Sequence, residues 1–540
     1  MPDCLIDPKS IAGKPLTVRE RTALLIIGAG PAGLAAAIGA ARRGLSVVVF
    51  DENPVSFAAM GEETPLHFGQ GMSGAARNRN AMMEAFVGSE PLIAEAFEAG
   101  VDIRLGVSCF GLYGNGPGVG WLPGLVAGVA DEGEVWFIGA EHVVVAAGRR
   151  DIGIAFPGWE RPGVMGATAA ALLAKRFDAL GPRRAVILGS ITEALSTALT
   201  LRAAGVEIAS IIEQADTPIG PAHLVDELRA AGVEMLTRHV IRDVTGRDGL
   251  ESVLVRPIAS DGRDDGPERR IACDGVILAV GATPVIDLLD AIGCRVAFQP
   301  ERGGYAPVLD ADQRTSIANV FAVGDCAGIW PSKSLDRRVA EAEARRAVAA
   351  ILRDRGEAAG EEPAPAPDTP AFDVSAYRHA WVRASVIEAP RDCHVCQCEE
   401  VTAREILEVR PPRYLRAPQD RRKDRSLASL IGEGPPSPDQ IKRLTRAGMG
   451  PCQGRRCREQ VAALLALGAS VPLPSIPLAG YRAPVRPLPL ALAGQLPEPP
   501  AQAEHWDSWF GMHAQWRPFW EVPEHYTVAG NDVSAPMFSE

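Results

Sequence analysis

Cysteine is the residue type whose spacing in this sequence most directly indicates chemistry. The chain has 540 residues and ten cysteines, which is too few for a disulfide scaffold, yet half of the ten are concentrated towards the carboxyl end. Such a concentration indicates metal binding or redox chemistry. The five residues are Cys393, Cys396, Cys398, Cys452 and Cys457.

The last four of these thiols form a CxC pair and a CxxxxC pair. Four thiolates in this arrangement can enclose a [2Fe–2S] cluster, which takes four cysteine ligands. Gly448, Gly450 and Gly454 would let backbone N–H groups approach the sulfides. Structural zinc is the competing interpretation, because Cys393-His394-Val395-Cys396 supplies a CxxC pair and a histidine, although CxC is a poor match to the usual zinc knuckles.

A second set of residues with chemical potential is the run Gly28-Ala29-Gly30-Pro31-Ala32-Gly33, which follows an apolar strand and opens an Ala-rich helix. Gly28 permits the tight turn, Gly30 leaves room for a pyrophosphate, and Gly33 lets helix and strand pack closely. Asp51 ends the next strand and is placed to bond a ribose diol, with Glu52 as the alternative. The run predicts a dinucleotide site but does not separate FAD from NAD.

A later segment favours FAD. Residues 315–325, TSIANVFAVGD, resemble the second FAD motif of flavoproteins of the glutathione reductase type, which have two dinucleotide-binding domains. The resemblance implies that Asp325 bonds the ribityl chain of the flavin and that Gly324 allows close approach. The intermediate turn of that family corresponds to Ala146-Ala147-Gly148 here, so Ala147 and Gly148 join the expected FAD site.

A second unit of strand, turn, helix and strand runs from Arg184 to Glu213. Its turn carries Ile191 where glycine normally lets the backbone touch a pyrophosphate, and Glu193 adds a negative charge nearby. Glu213 stands where a ribose-binding acid would, but an acid at the end of a strand is common. We therefore expect a structural domain, or one with another ligand, in preference to a working NAD(P) site.

These motifs need an α/β scaffold to position them. Apolar runs at 142–148, 275–281 and 319–325 each end in glycine, where the carboxyl edge of a sheet would meet a ligand. The expected fold has two Rossmann-like dinucleotide-binding domains of the glutathione reductase type, a small helical [2Fe–2S] domain and an extended C-terminal tail. The expected boundaries are 20–155 and 285–356 for a discontinuous FAD-binding domain, 156–284 for the degenerate second nucleotide-binding-like domain, 357–385 for a linker, 386–468 for the [2Fe–2S] domain and 469–540 for a tail rich in Pro and Trp.

The cysteine-rich region also has a family resemblance. Residues 445–457, TRAGMGPCQGRRC, closely resemble the bacterioferritin-associated-ferredoxin type of [2Fe–2S] domain. A basic, Pro-rich insertion from Arg410 to Pro438 separates the two cysteine pairs, and we expect it to form a surface loop. The ligands that the resemblance implies are Cys396, Cys398, Cys452 and Cys457, with Cys393 left outside.

Composition and charge restrict the class of protein. The balance of 55 basic and 67 acidic residues gives a net charge of −12, which repels phosphate backbones, so nucleic-acid binding is not expected. The amino terminus lacks a basic region leading into an apolar run, so no secretory signal is predicted. The most apolar stretch, Ala23 to Phe50, is interrupted by glycine, proline and arginine and predicts no integral membrane segment. A cytoplasmic protein is expected.

Taken together, the FAD motifs and the fused cysteine-rich region resemble the A subunit of opine oxidases and related heteromeric amino-acid dehydrogenases, and the flavin subunit of hydrogen cyanide synthase. The resemblance implies a hetero-oligomer in which a partner flavoprotein subunit, similar to amino-acid oxidases, oxidises an amine, imino or N-substituted amino acid of the opine, proline or hydroxyproline kind. This chain would relay the electrons. Residues 67–71, HFGQG, depart from the GGQ-like segment usual there and leave the substrate open.

Three points stay open at this level. The chain could instead be a self-contained NAD(P)H-dependent FAD and iron–sulfur reductase, against which Ile191 argues, or a non-enzymatic scaffold whose cluster senses iron or redox state. No catalytic acid or base is identified from the sequence. Four tryptophans near the carboxyl end predict either a partner surface or a tail packed on its own chain: Trp506, Trp509, Trp516 and Trp520.

Overall fold

The computed structural model describes most of the chain. The described residues are 16–53, 79–116, 122–247, 249–360, 366–390, 392–412, 426–496, 527–528 and 531–532. The segment 67–71 and the four tail tryptophans lie outside the described residues, so the expectations for them stay predictions.

Strands and helices alternate along the chain, as in α/β proteins generally. The described strands are β1 (Glu20–Ile27), β2 (Val47–Asp51), β3 (Asp102–Leu105), β4 (Ser108–Tyr113), β5 (Leu125–Ala130), β6 (Val135–Val145), β7 (Arg149–Asp151), β8 (Val164–Gly166), β9 (Arg184–Leu188), β10 (Glu207–Glu213), β11 (Glu234–Thr237), β12 (His239–Thr245), β13 (Ser252–Pro257), β14 (Arg269–Ala272), β15 (Gly275–Leu278), β16 (Ala282–Pro284), β17 (Val296–Gln299), β18 (Gly304–Pro307), β19 (Val320–Ala322), β20 (His394–Cys396), β21 (Val401–Thr402), β22 (Thr527–Val528) and β23 (Asn531–Asp532). The described α-helices are α1 (Pro31–Ala41), α2 (Arg79–Ser89), α3 (Leu92–Glu98), α4 (Ala167–Lys175), α5 (Thr192–Ala203), α6 (Ala222–Ala230), α7 (Asp287–Ala291), α8 (Pro331–Leu335), α9 (Arg337–Asp354), α10 (Val374–Val382), α11 (Ala403–Leu407), α12 (Leu427–Glu433), α13 (Pro438–Thr445), α14 (Arg458–Ala469) and α15 (Leu490–Ala493).

None of the described helices combines the length and the apolar character that crossing a membrane requires.

The first sheet has seven strands in the order β3-β2-β1-β6-β5-β4, and β19 pairs with the carboxyl-terminal half of β6. The central strands β2, β1, β6 and β19 are parallel, whereas β4 and β5 form an antiparallel extension. The late strand β19 returns to this sheet about 175 residues after β6, and pairing with β6 buries its apolar residues Val320, Phe321 and Ala322 completely. The first sheet therefore brings Gly28, Gly148 and Gly324 to one edge.

Both faces of the first sheet are covered, which explains why its central strands are nearly unbroken apolar runs. Leu24 and Ile26 pack on the face that α1 and α9 cover. Leu25 and Ile27 alternate to the opposite face, where Phe50 and Trp136 fill the core. This packing on both faces fixes the positions of the residues at the strand ends.

The second sheet has five parallel strands in the order β11-β10-β9-β15-β8. A three-stranded antiparallel sheet, β12-β13-β14, lies beside it, and the short pair β7 and β16 connects the two halves of the molecule. Two Rossmann-like sheets with covering helices confirm the predicted α/β class.

The cysteine-rich region packs directly against the second half. Apolar residues of α14, from Val461 to Ala466, belong to the same continuous core as Ile187 and Leu188 of β9. Trp159 Nε1 donates to the carbonyl oxygen of His394 at 2.7 Å, and the backbone N–H of Ala155 donates to Gln460 Oε1 at 2.7 Å. The cysteines are thus held on the body of the protein by shared packing.

Two connecting segments contain helices. Within the insertion Arg410 to Pro438, the described residues include α12, which Ser426 caps and whose Leu427 is buried in the core. The predicted linker 357–385 contains α10, which begins after the capping residue Asp373. In both cases an N-cap residue followed by an apolar residue starts a helix, and burial of that apolar face stabilises it.

Candidate functional site

The glycine turn between β1 and α1 has contacts that only glycine permits. Gly28 has a φ of +112°, and a Cβ there would collide with the carbonyl oxygen of Ala146. A Cβ on Gly33 would collide with the carbonyl oxygen of Gly28. A Cβ on Gly30 would meet nothing within 4 Å. The open side of the turn therefore lies at Gly30, at the amino terminus of α1, where free N–H groups and the helix dipole favour a phosphate.

Asp51 ends β2 and is tied to that turn. Its Oδ2 accepts a hydrogen bond from the backbone N–H of Ala29 at 2.6 Å, and its Oδ1 accepts one from the backbone N–H of Asn53 at 2.8 Å. Burial raises the pKa of Asp51, although these donors favour the ionised form. Glu52 accepts a hydrogen bond from Arg486 Nε at 2.6 Å. Asp51 is therefore the acid that the structure holds beside the glycine turn.

These groups enclose a cavity of about 260 Å³. Gly33 is packed behind the turn, and Asp325 lies to one side, with its Oδ2 at 3.5 Å from Nε of Arg149. Arg149 lines an adjacent cavity of about 420 Å³, which shares Leu172 and Arg176 with the first. This arrangement fits an extended FAD molecule. The open turn at Gly30 would receive the phosphates, Asp51 lies at one end, and Asp325 lies beside the neighbouring cavity. The predicted flavin residues that line the first cavity are Gly28, Gly30, Asp51, Glu52, Ala147 and Gly148.

A charged wall of the first cavity was missed by sequence reasoning. Arg150 Nη2 and Arg486 Nη1 donate to the same Asp287 oxygen at 2.9 and 2.8 Å. Burial works to raise the pKa of Asp287, but the charges of the two arginines outweigh it, and the pKa is lowered. The three residues come from distant parts of the chain. The one sequence feature that could have indicated these charged residues is a single acid, Asp287, within the apolar run 284–289.

Gly324 is held by a buried ion pair behind it. The backbone N–H of Gly324 donates to Glu343 Oε2 at 2.8 Å, and Lys333 Nζ donates to the Gly324 carbonyl oxygen at 2.9 Å and to Glu343 Oε1 at 2.9 Å. Both charged side chains are fully buried. Burial lowers the pKa of Lys333 and raises the pKa of Glu343, because low polarity disfavours each charge. The pair positions the backbone that precedes Asp325.

We expect Lys333→Met to lower the free energy of unfolding by about 3–5 kcal/mol, because Glu343 would remain buried without its counter-ion. Urea unfolding followed by far-UV circular dichroism measures the change. The double variant Lys333→Met with Glu343→Gln is the control, since it removes both charges and should recover much of the loss. A single variant as stable as the unsubstituted chain would contradict this account.

The second nucleotide-like turn is filled by the chain itself. Ser190 Oγ and the hydroxyl of Tyr377 both donate to Glu213 Oε2, at 2.7 and 2.9 Å, and the backbone N–H of Ala215 donates to Oε1 at 3.0 Å. Burial raises the pKa of Glu213, which is 1% exposed. Tyr377 belongs to α10, which thus lies at the sheet edge where a nucleotide ribose would bind. These contacts add a physical argument to that of Ile191 for the expectation that the second half does not bind NAD(P).

Removing the Tyr377 hydroxyl tests how much its hydrogen bond to Glu213 contributes to stability. We expect Tyr377→Phe to destabilise the fold by about 1.5–3 kcal/mol, since the buried carboxylate of Glu213 loses a hydrogen bond. Thermal and urea unfolding measure the effect. Tyr113→Phe is a matched control of the same chemistry at a less buried position of the first sheet, and should cost less. Equal effects of the two substitutions would show that the Glu213 contact contributes nothing.

The cysteine-rich region brings together the four thiols of the two predicted pairs. The sulfur atoms of Cys396 and Cys398 are 4.0 Å apart, and those of Cys398 and Cys452 are 3.6 Å apart. A Cβ on Gly448 would lie 3.8 Å from Cys457 Sγ, and the Gly448 N–H donates to Cys396 Sγ at 3.4 Å.

Within the described ranges, no three His, Cys, Asp or Glu side chains converge on a point that would hold a single metal ion. A [2Fe–2S] centre does not require such convergence, because its four ligands are divided between two irons.

Donors without partners surround the thiols. Gln397 Nε2, between the first two cysteines, is buried and has no hydrogen-bond partner among the described residues. Nε and Nη1 of Arg458, the residue after Cys457, are likewise buried and unpaired within the described part of the chain. Arg456 lies within electrostatic reach of Cys398 and Cys452. Orphaned donors and cations of this kind fit an anionic, sulfur-rich group.

Cys393 stands apart from this set. It is 5% exposed, and burial raises the pKa of its thiol to about 12. The charges that act on it come from Asp392 and Glu160. It has the character of a buried structural cysteine.

Comparison with known proteins agrees with this architecture. The A subunit of opine oxidase from Agrobacterium tumefaciens (strain Ach5) is 28% identical over 508 residues, which cover 88% of this chain and 92% of the relative. The HcnB subunit of hydrogen cyanide synthase from Pseudomonas protegens is 25% identical over 460 residues, covering 80% of this chain and 89% of the relative. The solved structure of L-proline dehydrogenase from P. horikoshii shares the fold, with a TM-score of 0.57 and 20% identity over 88% of this chain and 80% of that chain.

The family described as pyridine nucleotide-disulphide oxidoreductase matches residues 22–350, which is more than half of the chain. The matched range contains the glycine turn, Asp51, Gly148 and Asp325, so the predicted FAD fold is confirmed. The chain therefore belongs to the pyridine nucleotide-disulphide oxidoreductase family and is a flavin-dependent oxidoreductase.

Proposed function

We propose that this chain is the electron-transferring subunit of a heteromeric oxidoreductase and holds FAD and a [2Fe–2S] cluster. Gly28, Gly30 and Asp51 would hold the dinucleotide, with Asp325 at the flavin end. The cluster ligands would be Cys396, Cys398, Cys452 and Cys457. A partner flavoprotein subunit would oxidise the organic substrate and pass electrons to this chain.

The observation that carries the proposal is the proximity of the two candidate sites. Arg455 lies between Cys452 and Cys457, and it is within electrostatic reach of Glu52 and Asp287 in the wall of the first cavity. FAD, when bound, accepts an electron pair and can release single electrons, and a [2Fe–2S] centre carries one electron at a time. Adjacent sites of these two kinds support an electron relay.

The surface of the cysteine site supports transfer to or from another protein. Cys396 and Cys457 are 1% exposed, whereas Cys398 is exposed and the nearby Met449 side chain is 37% exposed. One side of the site therefore faces the protein interior and another faces solvent. A partner that approaches Cys398 would reach the cluster without any rearrangement of the core.

The substrate class comes from the relatives. Two relatives are subunits of opine oxidase and hydrogen cyanide synthase, and the protein of the similar solved structure is an L-proline dehydrogenase. We propose an amine, imino or N-substituted amino acid of the opine, proline or hydroxyproline kind. The side chains of this chain bind, orient and insulate the cofactors, and the partner subunit would bind the substrate.

An anaerobic titration of the purified full-length chain tests the proposal. We expect flavin and iron–sulfur absorbance, little reduction by NADH or NADPH, and reduction by a substituted amino acid only when an amino-acid-oxidase-like flavoprotein subunit is added. Rapid stoichiometric reduction by NADH without a partner would contradict the proposal and favour a self-contained reductase. Loss of the cluster through Cys452→Ser with no change in electron transfer by the complex would favour a sensor or scaffold.

A further inference from the structure

A short segment after the cysteine-rich region runs back to the flavin cavity. We call residues 480–486 the strap. The backbone N–H of Tyr481 donates to Asp290 Oδ2 at 2.8 Å, and the N–H of Val485 donates to the carbonyl oxygen of Phe110 at 2.7 Å. Val485 is 2% exposed. The strap is therefore fixed to the first half of the molecule at two points before it reaches Arg486.

Arg486 forms part of the cavity wall that faces Gly28, Gly30 and Asp51. Its guanidinium donates from Nε to Glu52 at 2.6 Å and from Nη1 to Asp287 at 2.8 Å, and its side chain is only 14% exposed. Two carboxylates thus fix the plane of the guanidinium at the cavity. A planar, fixed guanidinium can offer a remaining N–H to phosphate or ribose oxygens or its face to an adenine ring.

The positive charge of Arg486 gives it a second role in the cavity wall. Burial works to raise the pKa of Glu52, but the charge of Arg486 and its hydrogen bond outweigh this, and the pKa is lowered. Glu52 and Asp287 are therefore anionic carboxylates beside a site for an anionic pyrophosphate. Without Arg486, Glu52 would lose its hydrogen-bonded arginine, and Asp287 would keep its ion pair with Arg150. Arg486 prevents repulsion between the protein and the dinucleotide.

The other end of the strap contacts the cysteine site. Cζ of Arg458, the residue after Cys457, lies 3.2 Å from the centroid of the Tyr481 ring. The N–H of Gly480 donates to Asp439 Oδ2, in α13, at 3.3 Å. The strap therefore connects the loop of the second cysteine pair to the flavin cavity through a continuous series of contacts.

We propose that Arg486, which the strap holds in the cavity wall, binds the adenosine diphosphate half of FAD. This rests on the FAD assignment in the proposed function. Because Tyr481 is anchored under Arg458, flavin affinity depends on the cysteine-rich region being in place. The site is composite: one wall comes from the amino-terminal glycine turn and another from a segment more than 400 residues later.

Titration of FAD into the deflavinated full-length chain, followed by flavin fluorescence, tests the assignment. Arg486→Ala should weaken FAD binding at least about tenfold, because the charge-assisted contacts and the neutralisation of Glu52 are lost. The matched control is Arg482→Ala, an exposed arginine of the same strap, which should leave the affinity unchanged. Far-UV circular dichroism shows that each variant is folded.

Two outcomes would overturn the proposal. FAD affinity of Arg486→Ala equal to that of the unsubstituted chain would exclude Arg486 from the site. Full FAD affinity in Tyr481→Ala would exclude the connection to the cysteine-rich region, because this variant removes the anchor without altering the cavity wall. Failure of the unsubstituted chain to bind FAD is a distinct result, which would contradict the proposed function itself.

Discussion

Cys452→Ser should abolish assembly of the proposed iron–sulfur centre. Cys452 Sγ lies 3.6 Å from Cys398 Sγ, in the loop that also carries Cys457. A serine hydroxyl is a far poorer iron ligand than a thiolate, and three remaining cysteines leave one iron without its full ligand set. We expect iron and acid-labile sulfide, measured after anaerobic reconstitution, to fall from near two of each per chain to near background. The visible spectrum should then show flavin alone.

Cys393→Ala is the matched control for this experiment. Cys393 is buried, like Cys396 and Cys457, and lies only three residues before Cys396, but its thiol is outside the group of four. It should retain the iron content of the unsubstituted chain. Equal loss of iron from both variants would overturn the ligand assignment and favour a site built on the CxxC pair, with zinc as the natural candidate.

Gly30→Ala should separate folding from flavin binding. A Cβ at Gly30 meets nothing within 4 Å, and the φ of −79° suits any residue, so we expect the variant to fold normally. The added methyl group projects into the open side of the turn, where the pyrophosphate of FAD must approach the backbone. FAD affinity, measured by fluorescence titration of the deflavinated chain, should fall at least about tenfold, which corresponds to about 1.4 kcal/mol of binding free energy.

The control for that substitution is Gly88→Ala. A Cβ at Gly88 also meets nothing within 4 Å, but Gly88 lies in α2 and not at the turn. Its FAD affinity should be unchanged. If Gly30→Ala bound FAD as tightly as Gly88→Ala, the glycine turn would not be the phosphate site, and the cradle would have to be placed elsewhere.

Some of the fold and site follow from local sequence because the causes are local. The turn at Gly28 needs a positive φ and close contact with Ala146, and only glycine meets both requirements. The return of β19 to the first sheet follows from an apolar run that must be buried. The same is true of α14, whose apolar residues follow directly after the second cysteine pair.

Other features of the fold and the site depend on contacts between residues that are distant in the sequence. Glu213 could be identified from the sequence as an acid at the end of a strand. Its hydrogen bond with Tyr377 could not, because Tyr377 lies on a helix in the segment expected to be a linker. The helix α12 was expected to be a loop, since its single buried anchor, Leu427, is too weak a pattern to distinguish from a surface insertion. Tyr377 is 164 residues from Glu213, and α12 packs against α14, which begins well beyond it in the sequence.

Local patterns along the chain were enough to predict the α/β class, the glycine turn, the FAD assignment and the grouping of cysteines into two pairs, because each depends on spacing within one strand, turn or helix. Packing of the folded chain was needed to show that the two cysteine pairs meet, that Tyr377 of α10 binds Glu213 at the second nucleotide-like edge, and that Arg150 and Arg486 both pair with Asp287 at the first cavity. Burial and ion pairing join residues that are hundreds of positions apart, and no local pattern records which of the available charges will become neighbours.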